Sequence, residues 1–262
     1  MERLVFGAGP IALPQEIRSP RRRFAERLAR GLGVEVITIV ASSYPELRSL
    51  VARGEAHVAW LPPAIYAHSA EHGTAELLLG TVRAGGGRFR GALFVTNKSP
   101  LHDVSELAGK RVAWVDRTSC AGYLFPRLAL RSAGCTPGNH FAEEILVGSH
   151  RSVTRAVALG RVDCGATYVD GYGDDARYGW SLEVDCDEMR AILFTPPIPS
   201  DTICAAPTLE EGIRKDISDL LLRMHQDPEG ADVLQSFFGV ERFVRARKQD
   251  YEIVHQAFRT DS

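Results

Sequence analysis

Two stretches of the chain repeat one order of elements, and this internal echo constrains the fold more than any other feature. Residues 42–61, SSYPELRSLVARGEAHVAWL, align without gaps on GSHRSVTRAVALGRVDCGATY, which begins at Gly148. In each copy a serine, Ser43 or Ser149, precedes an amphipathic helix, a glycine stop and a short buried strand. Chance similarity between two amphipathic units is the alternative. The shared serine start and glycine end favour two lobes built on one plan.

Strand-like and helix-like segments also alternate over the rest of the chain. VEVITIVA is typical of a β-branched strand, YPELRSLVARG of a helix and AHVAWL of a buried strand. This order predicts an α/β protein with mainly parallel sheets and helices on both faces.

Two segments are suited to carry the chain from one lobe to the other. Residues 85–100 are glycine-rich before a strand, and residues 191–207 hold a strand that is broken by prolines. Two such crossover hinge strands predict a first lobe at residues 1–88 plus 202–262 and a second lobe at residues 89–201. In this architecture a ligand binds in the cleft between the lobes, and the lobes close around it by a hinge motion.

Composition excludes several classes of protein. The net charge is -2 with a pI near 6.5, which argues against nucleic acid as a partner. No apolar run approaches the roughly 18–20 residues that span a bilayer, so no membrane insertion is expected. The five cysteines are an odd number without CxxC spacing, which argues against a zinc site and a full disulfide framework. The basic cluster from Arg18 to Arg30 is interpreted as a solvated helix face.

The stretch DRTSCAGYLFP, residues 116–126, joins the strand KRVAWVD to an apolar helix that Gly134 closes. At a helix start several backbone N–H groups lack helical partners and the helix dipole is positive, so the segment can bind an anion. Plain capping of the helix by a hydroxyl is the alternative. Cys120 has no local base signature and is interpreted as a structural or ligand-lining thiol. Pro126 inside the helical pattern predicts a first turn that is not regular α-helix.

Five other residues are candidates for lining the same cleft. The internal alignment places two of them at equivalent helix starts, one aromatic follows a Pro-Pro pair, and two acids follow strands or the second crossover. The acids could neutralise a cationic group of a ligand. The structural alternatives are surface caps for the two residues at helix starts, core packing for the aromatic residue and turn positions for the two acids. These residues are Tyr44, His150, Tyr66, Asp170 and Asp201.

Several phrases together resemble one family, and they cover nearly the whole chain: VITIVASSYPELRSLVARGEAHVAWLPPAIY, SELAGKRVAWVDRTSCAGYLFPRLAL, VGSHRSVTRAVALGRVDCGATYVD, PPIPSDTICAAP and DPEGADVLQSFFGVERFV. They resemble the phosphonate, phosphite and phosphate substrate-binding proteins of ABC importers, in the type II periplasmic-binding-protein superfamily. The resemblance implies a two-lobed protein that binds a small oxyanion-bearing ligand without catalysis or a cofactor. It also implies a monomer that works with an ABC permease or, in sensing, with a kinase.

The resemblance also assigns residues to the site. The family usually carries Ser-Thr-Ser-Gly-Tyr where this chain has Ser119 to Tyr123, so Ser119, Gly122 and the backbone carry over. Cys120 and Ala121 replace the other two hydroxyl residues, and two hydroxyl donors are lost. Thr118 is expected to compensate for them only in part. The altered loop leaves the identity of the oxyanion open.

By the same resemblance, aromatic and imidazole side chains line the cleft at Tyr44, Tyr66 and His150. Asp201 matches an acid near the amino end of the family's ligands, and Asp170 matches an acid after a strand. Two rival functions remain: a cytosolic enzyme of menaquinone or thiamine-precursor biosynthesis on the same fold, and the sensor domain of a regulatory system. The protein is expected to be periplasmic or extracytoplasmic if a leader was removed, and cytoplasmic otherwise.

Overall fold

A computed structural model describes residues 1–9, 18–83, 86–171 and 173–261. Gly85, where the first predicted crossover begins, lies outside these residues. The strands are β1 (Arg3–Ala8), β2 (Glu35–Val40), β3 (Val58–Leu61), β4 (Glu76–Val82), β5 (Arg88–Thr96), β6 (Arg111–Trp114), β7 (Glu143–Leu146), β8 (Cys164–Asp170), β9 (Arg177–Tyr178), β10 (Met189–Phe194), β11 (Ile198–Pro199), β12 (Thr202–Ala205) and β13 (Arg242–Val244). The α-helices are α1 (Arg18–Leu32), α2 (Tyr44–Ala52), α3 (Pro63–Glu71), α4 (Phe125–Ser132), α5 (His150–Ala158), α6 (Glu211–Arg223), α7 (Pro228–Val233) and α8 (Glu252–Asp261).

The chain divides into two compact units, each with its own sheet. The first unit comprises residues 1–87 and 200–252, and the second comprises residues 88–199 and 253–262. The sequence predicts that residues 202–262 belong to the first lobe, whereas in the structure the chain from Ile253 onward belongs to the second unit. Helix α8 buries Val254 and Ala257 on one face. An amphipathic pattern predicts such a face but does not say which unit covers it.

The sheet of the first unit has six strands in the order β13-β4-β12-β3-β1-β2. Neighbouring side chains of β3 enter different cores because side chains alternate across a strand. Val58 packs with Phe24 of α1 and Ile217 of α6, and Ala59 packs with Leu47 of α2. Helices therefore cover both faces of this sheet, as the sequence predicts.

The sheet of the second unit has the order β10-β5-β8-β6-β7, with β11 on β5 and β9 on β8. Strand β6 runs parallel to both β7 and β8, with Trp114 opposite Leu146 and Val112 opposite Cys164. The carboxyl ends of these three strands consequently lie at one edge of the sheet. On one face, Val153 of α5 packs in a core with Phe94 and Trp180.

The predicted α/β fold with two sheets is confirmed, but both sheets are mixed instead of mainly parallel. Parallel pairing joins β1 to β2 and β3, and β6 to β7 and β8. The strands that follow the crossings between units, β5 and β12, pair antiparallel with their neighbours. A strand–helix–strand order fixes the direction of strands joined by a crossover helix. It does not fix the direction of a strand that enters from the other unit.

The internal echo is present in the local structure. Helices α2 and α5 each have nine residues, and the caps Ser43 and Ser149 each accept a hydrogen bond from the amide three residues on. After the helices, Gly54 and Gly160 adopt φ values of 71° and 65°. Because this left-handed backbone region favours glycine, the shared glycine ends both helices.

Part of the basic cluster in α1 packs against α7 instead of facing solvent. The Arg27 side chain is 19% exposed and forms ion pairs with Asp227 and Glu229, at the start of α7. The interpretation of Arg18 to Arg30 as a solvated helix face therefore does not hold for Arg27.

Candidate functional site

Two loops meet at the carboxyl edge of the second unit's sheet. The Val147 amide donates to the Trp114 carbonyl at 3.0 Å, and the Gly148 amide donates to the Val115 carbonyl at 2.8 Å. These bonds continue the pairing of β6 and β7 beyond the ends of the strands. They place the start of α5, at His150, beside the loop that begins at Asp116.

The DRTSCAGYLFP stretch enters its helix through one turn of π-helix, Cys120–Leu124. The Leu124 amide donates to the Ser119 carbonyl at 3.0 Å, which is an i→i−5 bond. Pro126 has no N–H to offer the Gly122 carbonyl in a regular α-helix. That carbonyl instead accepts from the Val115 amide at 3.1 Å. The irregular first turn that Pro126 predicts is present.

Ser119 caps this turn, and two of the residues after it are buried. Its Oγ accepts a hydrogen bond from the Gly122 amide at 3.0 Å, and a hydroxyl that accepts one bond can still donate its proton. Cys120 and Ala121 are 6% and 4% exposed. Their amides precede the first intrahelical bond, at the positive end of the helix dipole. The cap that the sequence offered as one alternative is present, and it leaves two buried residues at a helix start of the kind that can bind an anion.

Glycine is required at two positions around the turn by close packing. A Cβ on Gly122 would collide with the Val115 side chain and lie 2.9 Å from Ser119 Oγ. A Cβ on Gly91 of β5 would lie 2.8 Å from the Ala121 carbonyl oxygen. Strand β5 and Val115 therefore fix the backbone of the turn from two sides.

Thr118 forms hydrogen bonds with the side chain of nearby Asp116. Its Oγ1 donates to the Asp116 carboxylate at 2.6 Å, and its amide donates to the same oxygen at 2.7 Å. The side chain is exposed. The hydroxyl proton proposed as partial compensation for the altered loop is thus engaged by Asp116.

His150 is half-buried at the start of α5. Its Nδ1 lies 3.1 Å from Thr167 Oγ1, and its ring packs edge-to-face on Tyr168 at 5.1 Å between centroids. Burial lowers the pKa of His150 to about 4, an effect that the Asp116 carboxylate partly opposes. The imidazole is therefore neutral at pH 7, and it offers hydrogen bonding without a positive charge.

A buried ion pair supports the π-turn, and sequence reasoning missed it. Arg127 stacks its guanidinium over the Tyr123 ring at 4.8 Å and pairs with Glu144 of β7. The Trp114 indole donates to the same Glu144 oxygen at 2.7 Å. From the exposed side, Arg117 donates to the Tyr123 hydroxyl at 3.1 Å. The four-residue spacing of Tyr123 and Arg127 was the one local signal for this contact.

In the first unit, two predicted tyrosines have different surroundings. Tyr44 begins α2, and its ring packs so closely on Gly9 that a Cβ there would collide with it. Tyr66 is 1% exposed and packs edge-to-face on Tyr251 at 4.9 Å. Burial raises the pKa of Tyr66 well above its usual value. Tyr66 thus lies in the core of its unit, which was the structural alternative for it.

Asp201 lies where the amino end of β12 meets the carboxyl ends of β3 and β4. Its carboxylate accepts from Arg83 Nη2 at 2.8 Å, a contact between residues 118 positions apart that no local pattern predicts. Asp170 ends β8, and its partner across the ladder is Arg177 of β9. Within the second unit, the structure brings His150 together with the Thr118–Gly122 turn. Within the first, Tyr44 and Asp201 lie at one edge of the sheet.

All five cysteines belong to the described part of the chain and are thiols: Cys120, Cys135, Cys164 and Cys204 are buried, and Cys186 is exposed. Burial raises the pKa of Cys204 to about 12. In the ranges described, no group of three or more His, Cys, Asp or Glu side chains could hold a metal ion. Those ranges also contain no helix with the length and apolarity to cross a membrane.

A family model for the periplasmic substrate-binding protein of phosphonate ABC transporters matches residues 6–251. The chain belongs to this family. The prediction of a phosphonate-type ABC substrate-binding protein is therefore confirmed, and so is the prediction of a transport protein instead of an enzyme. Family membership implies an extracytoplasmic location, a small phosphonate ligand and an ABC permease as partner.

Individual relatives agree with this assignment. The chain is 22% identical to the phosphonates-binding periplasmic protein of Escherichia coli K12 over 237 residues, which cover 88% of this chain and 69% of that protein. Two solved structures share the fold. PhnD1 from Prochlorococcus marinus MIT 9301 in complex with methylphosphonate has a TM-score of 0.81 at 19% identity, covering 99% of this chain and 98% of that one. XAC2383 from Xanthomonas citri bound to chloride has a TM-score of 0.82 at 22% identity, with coverage of 99% and 97%.

Proposed function

We propose that this protein binds a small phosphonate or a related oxyanion, such as phosphate or phosphite, and delivers it to an ABC permease. The observation that carries the proposal is the π-turn after Ser119. It places buried backbone amides at a helix start, next to a neutral His150. Family membership supports the class of ligand. We also propose that the protein acts as a monomer outside the cytoplasm.

The Ser119–Gly122 turn would hold the oxyanion mainly through its backbone. Amides at a helix start bind anions through their N–H groups and the helix dipole. Ser119 adds the one side-chain hydroxyl that the turn retains at positions 119–122. Each charge-assisted hydrogen bond contributes about 1.5–3 kcal/mol, so the loss of two hydroxyls favours an oxyanion that needs few donors.

Thermal unfolding with a panel of oxyanions tests the proposal. The panel contains phosphate, phosphite, methylphosphonate and methanesulfonate, with sodium chloride at matched ionic strength as the control. A ligand at a hundredfold excess over its Kd raises the free energy of unfolding by about 2.7 kcal/mol. We expect at least one phosphorus oxyanion to raise the unfolding temperature well above the chloride control. Equal unfolding temperatures across the whole panel would contradict the proposal.

A further inference from the structure

We propose that Thr167 is a positioning residue of the site: its buried hydroxyl fixes the tautomer of His150, so that the imidazole offers its Nε2–H group to the oxyanion. This inference rests on the proposed function and specifies how one group of that site binds. Both residues belong to the second unit.

The surroundings of Thr167 determine how its hydroxyl is hydrogen-bonded. Thr167 lies in β8 and is 0% exposed, and its Oγ1 lies 3.1 Å from Nδ1 of His150. In the part of the chain that the structure describes, this hydroxyl has no other hydrogen-bond partner. A Cβ on Gly179 would collide with Thr167 Oγ1, so glycine at that position makes room for the hydroxyl. The hydrogen bonding of this hydroxyl therefore depends on the imidazole.

Two assignments of protons fit the contact between Oγ1 and Nδ1, because a neutral imidazole has one N–H group and one acceptor nitrogen. If Nδ1 carries the proton, it donates to Thr167 Oγ1, and the proton of the buried hydroxyl is left without an acceptor. If Nε2 carries the proton, the hydroxyl donates to Nδ1 and both groups are satisfied. Because a buried donor without a partner is costly, the second assignment is favoured.

The groups around His150 keep its ring neutral, so this choice between tautomers applies at pH 7. Tyr168 of β8 packs edge-to-face on the ring, and burial lowers the pKa of His150 to about 4. The Asp116 carboxylate, from the loop after β6, opposes this shift only in part. On α5 itself, neighbouring Arg151 forms an ion pair with Glu183. His150 is therefore a ring with one donor and one acceptor, and not an imidazolium with two donors.

The favoured tautomer leaves the Nε2–H group as the donor on the other side of the ring. Nε2 has no hydrogen-bond partner among the described residues, and the side chain is only half-buried. The backbone bonds of Val115 to Gly122 and Gly148 join the π-turn to the start of α5, so this donor lies at the same edge of the sheet as the turn. An N–H group there suits an ionised oxygen of the ligand, which accepts a stronger hydrogen bond than a P–OH oxygen.

Nitrogen-15 NMR of the ligand-free protein, labelled on histidine, tests the tautomer directly. We expect the His150 resonances at pH 7 to show a protonated Nε2 and an unprotonated Nδ1, and their loss from the spectrum of His150→Gln identifies them. The opposite pattern, with the proton on Nδ1, overturns the inference. No ligand takes part in this measurement, so it tests the inference separately from the proposed function.

Isothermal titration calorimetry with methylphosphonate tests the role of Thr167 in binding. Thr167→Val keeps the shape of the side chain and removes the hydroxyl, so Nδ1 loses its donor. We expect this variant to bind at least about fivefold more weakly than the wild type, because one hydrogen bond to the ligand is no longer held in place. The matched control is Thr167→Ser, which keeps the hydroxyl and loses the methyl group, and it should bind within about twofold of the wild type.

Each outcome bears on one of the two proposals. Wild-type affinity in Thr167→Val overturns the inference and leaves the proposed function intact. If Thr167→Val does not fold, the NMR spectra of the wild type and of Thr167→Ser decide, and both should show the proton on Nε2. Failure of the wild type to bind any oxyanion of the thermal-unfolding panel overturns the proposed function, and with it the role of Thr167 in binding.

Discussion

Ser119 caps the π-turn and is proposed to bind the oxyanion as well, and substitution can separate these two roles. Its Oγ caps the Gly122 amide, so Ser119→Ala should lower the free energy of unfolding by about 1 kcal/mol. Ser119→Asp retains a cap acceptor but places a negative charge where the oxyanion would bind. We expect near wild-type stability in this variant and no thermal shift with methylphosphonate. A full shift in Ser119→Asp would show that the anion binds elsewhere.

His150 makes stability depend on pH in a defined window. Its folded pKa of about 4 lies below the unfolded value of about 6.5, so between these values the unfolded chain binds more protons. The contribution of His150 is fully present above pH 6.5 and is lost as the pH falls towards 4. The slope from one proton is at most about 1.4 kcal/mol per pH unit.

Urea unfolding at a series of pH values checks this expectation. His150→Gln removes the titrating group, so its free energy of unfolding should fall less than that of the wild type between pH 6.5 and 4. The substitution His72→Gln on exposed His72 is the matched control and should follow the wild type. Parallel curves for wild type and His150→Gln would refute the assignment.

For single residues, a role can be predicted from the sequence when it depends on nearby positions in the chain. Some residues act on backbone only a few positions away, so their roles can be predicted from the adjacent sequence. Examples are Ser119, Ser149 and Gly54. The ion pair of Arg83 and Asp201 joins residues that only the pairing of β4 with β12 brings together. The core position of Tyr66 likewise follows from how α3 packs on its sheet.

Among the elements of the second unit, the pair of Arg127 and Glu144 links α4 to β7 beneath the π-turn. The two side chains are 10% and 22% exposed. Glu144→Gln removes the carboxylate that pairs with the buried Arg127 cation and should lower the free energy of unfolding by about 3 kcal/mol. Adding Arg127→Met removes the stranded charge, so the double variant should recover part of this loss. Denaturant unfolding of both single variants and the double variant measures the coupling, and simple additivity would contradict it.

Element order was predictable, and strand direction only in part. The alternation of apolar strands with capped helices gives α2, β3, α5 and β8 because each has its own start and stop signals. The antiparallel placement of β5 and β12 has no such signal, since it depends on where the chain re-enters a unit. The same reason explains why the sequence alone does not predict that most of α8 belongs to the second unit.

For the whole molecule, thiol accessibility gives a simple count. Of the five cysteines, only Cys186 is exposed. Burial raises the pKa of Cys135, Cys164 and Cys204, which further slows their reaction because the thiolate is the nucleophile. We expect a colorimetric disulfide reagent to modify one thiol per chain quickly in the native protein and five after denaturation. Cys186→Ser should abolish the fast phase, and rapid reaction of several thiols would contradict the described burial.

The interleaving of the two units sets an order for assembly during synthesis. Residues 1–87 leave the ribosome first, but their sheet lacks β12, which stands between β3 and β4. The edges of β3 and β4 that pair with β12 therefore stay unpaired until residue 205 has emerged. The second unit has all its strands between residues 88 and 199. The middle of the nascent chain is thus expected to complete a sheet before its beginning does.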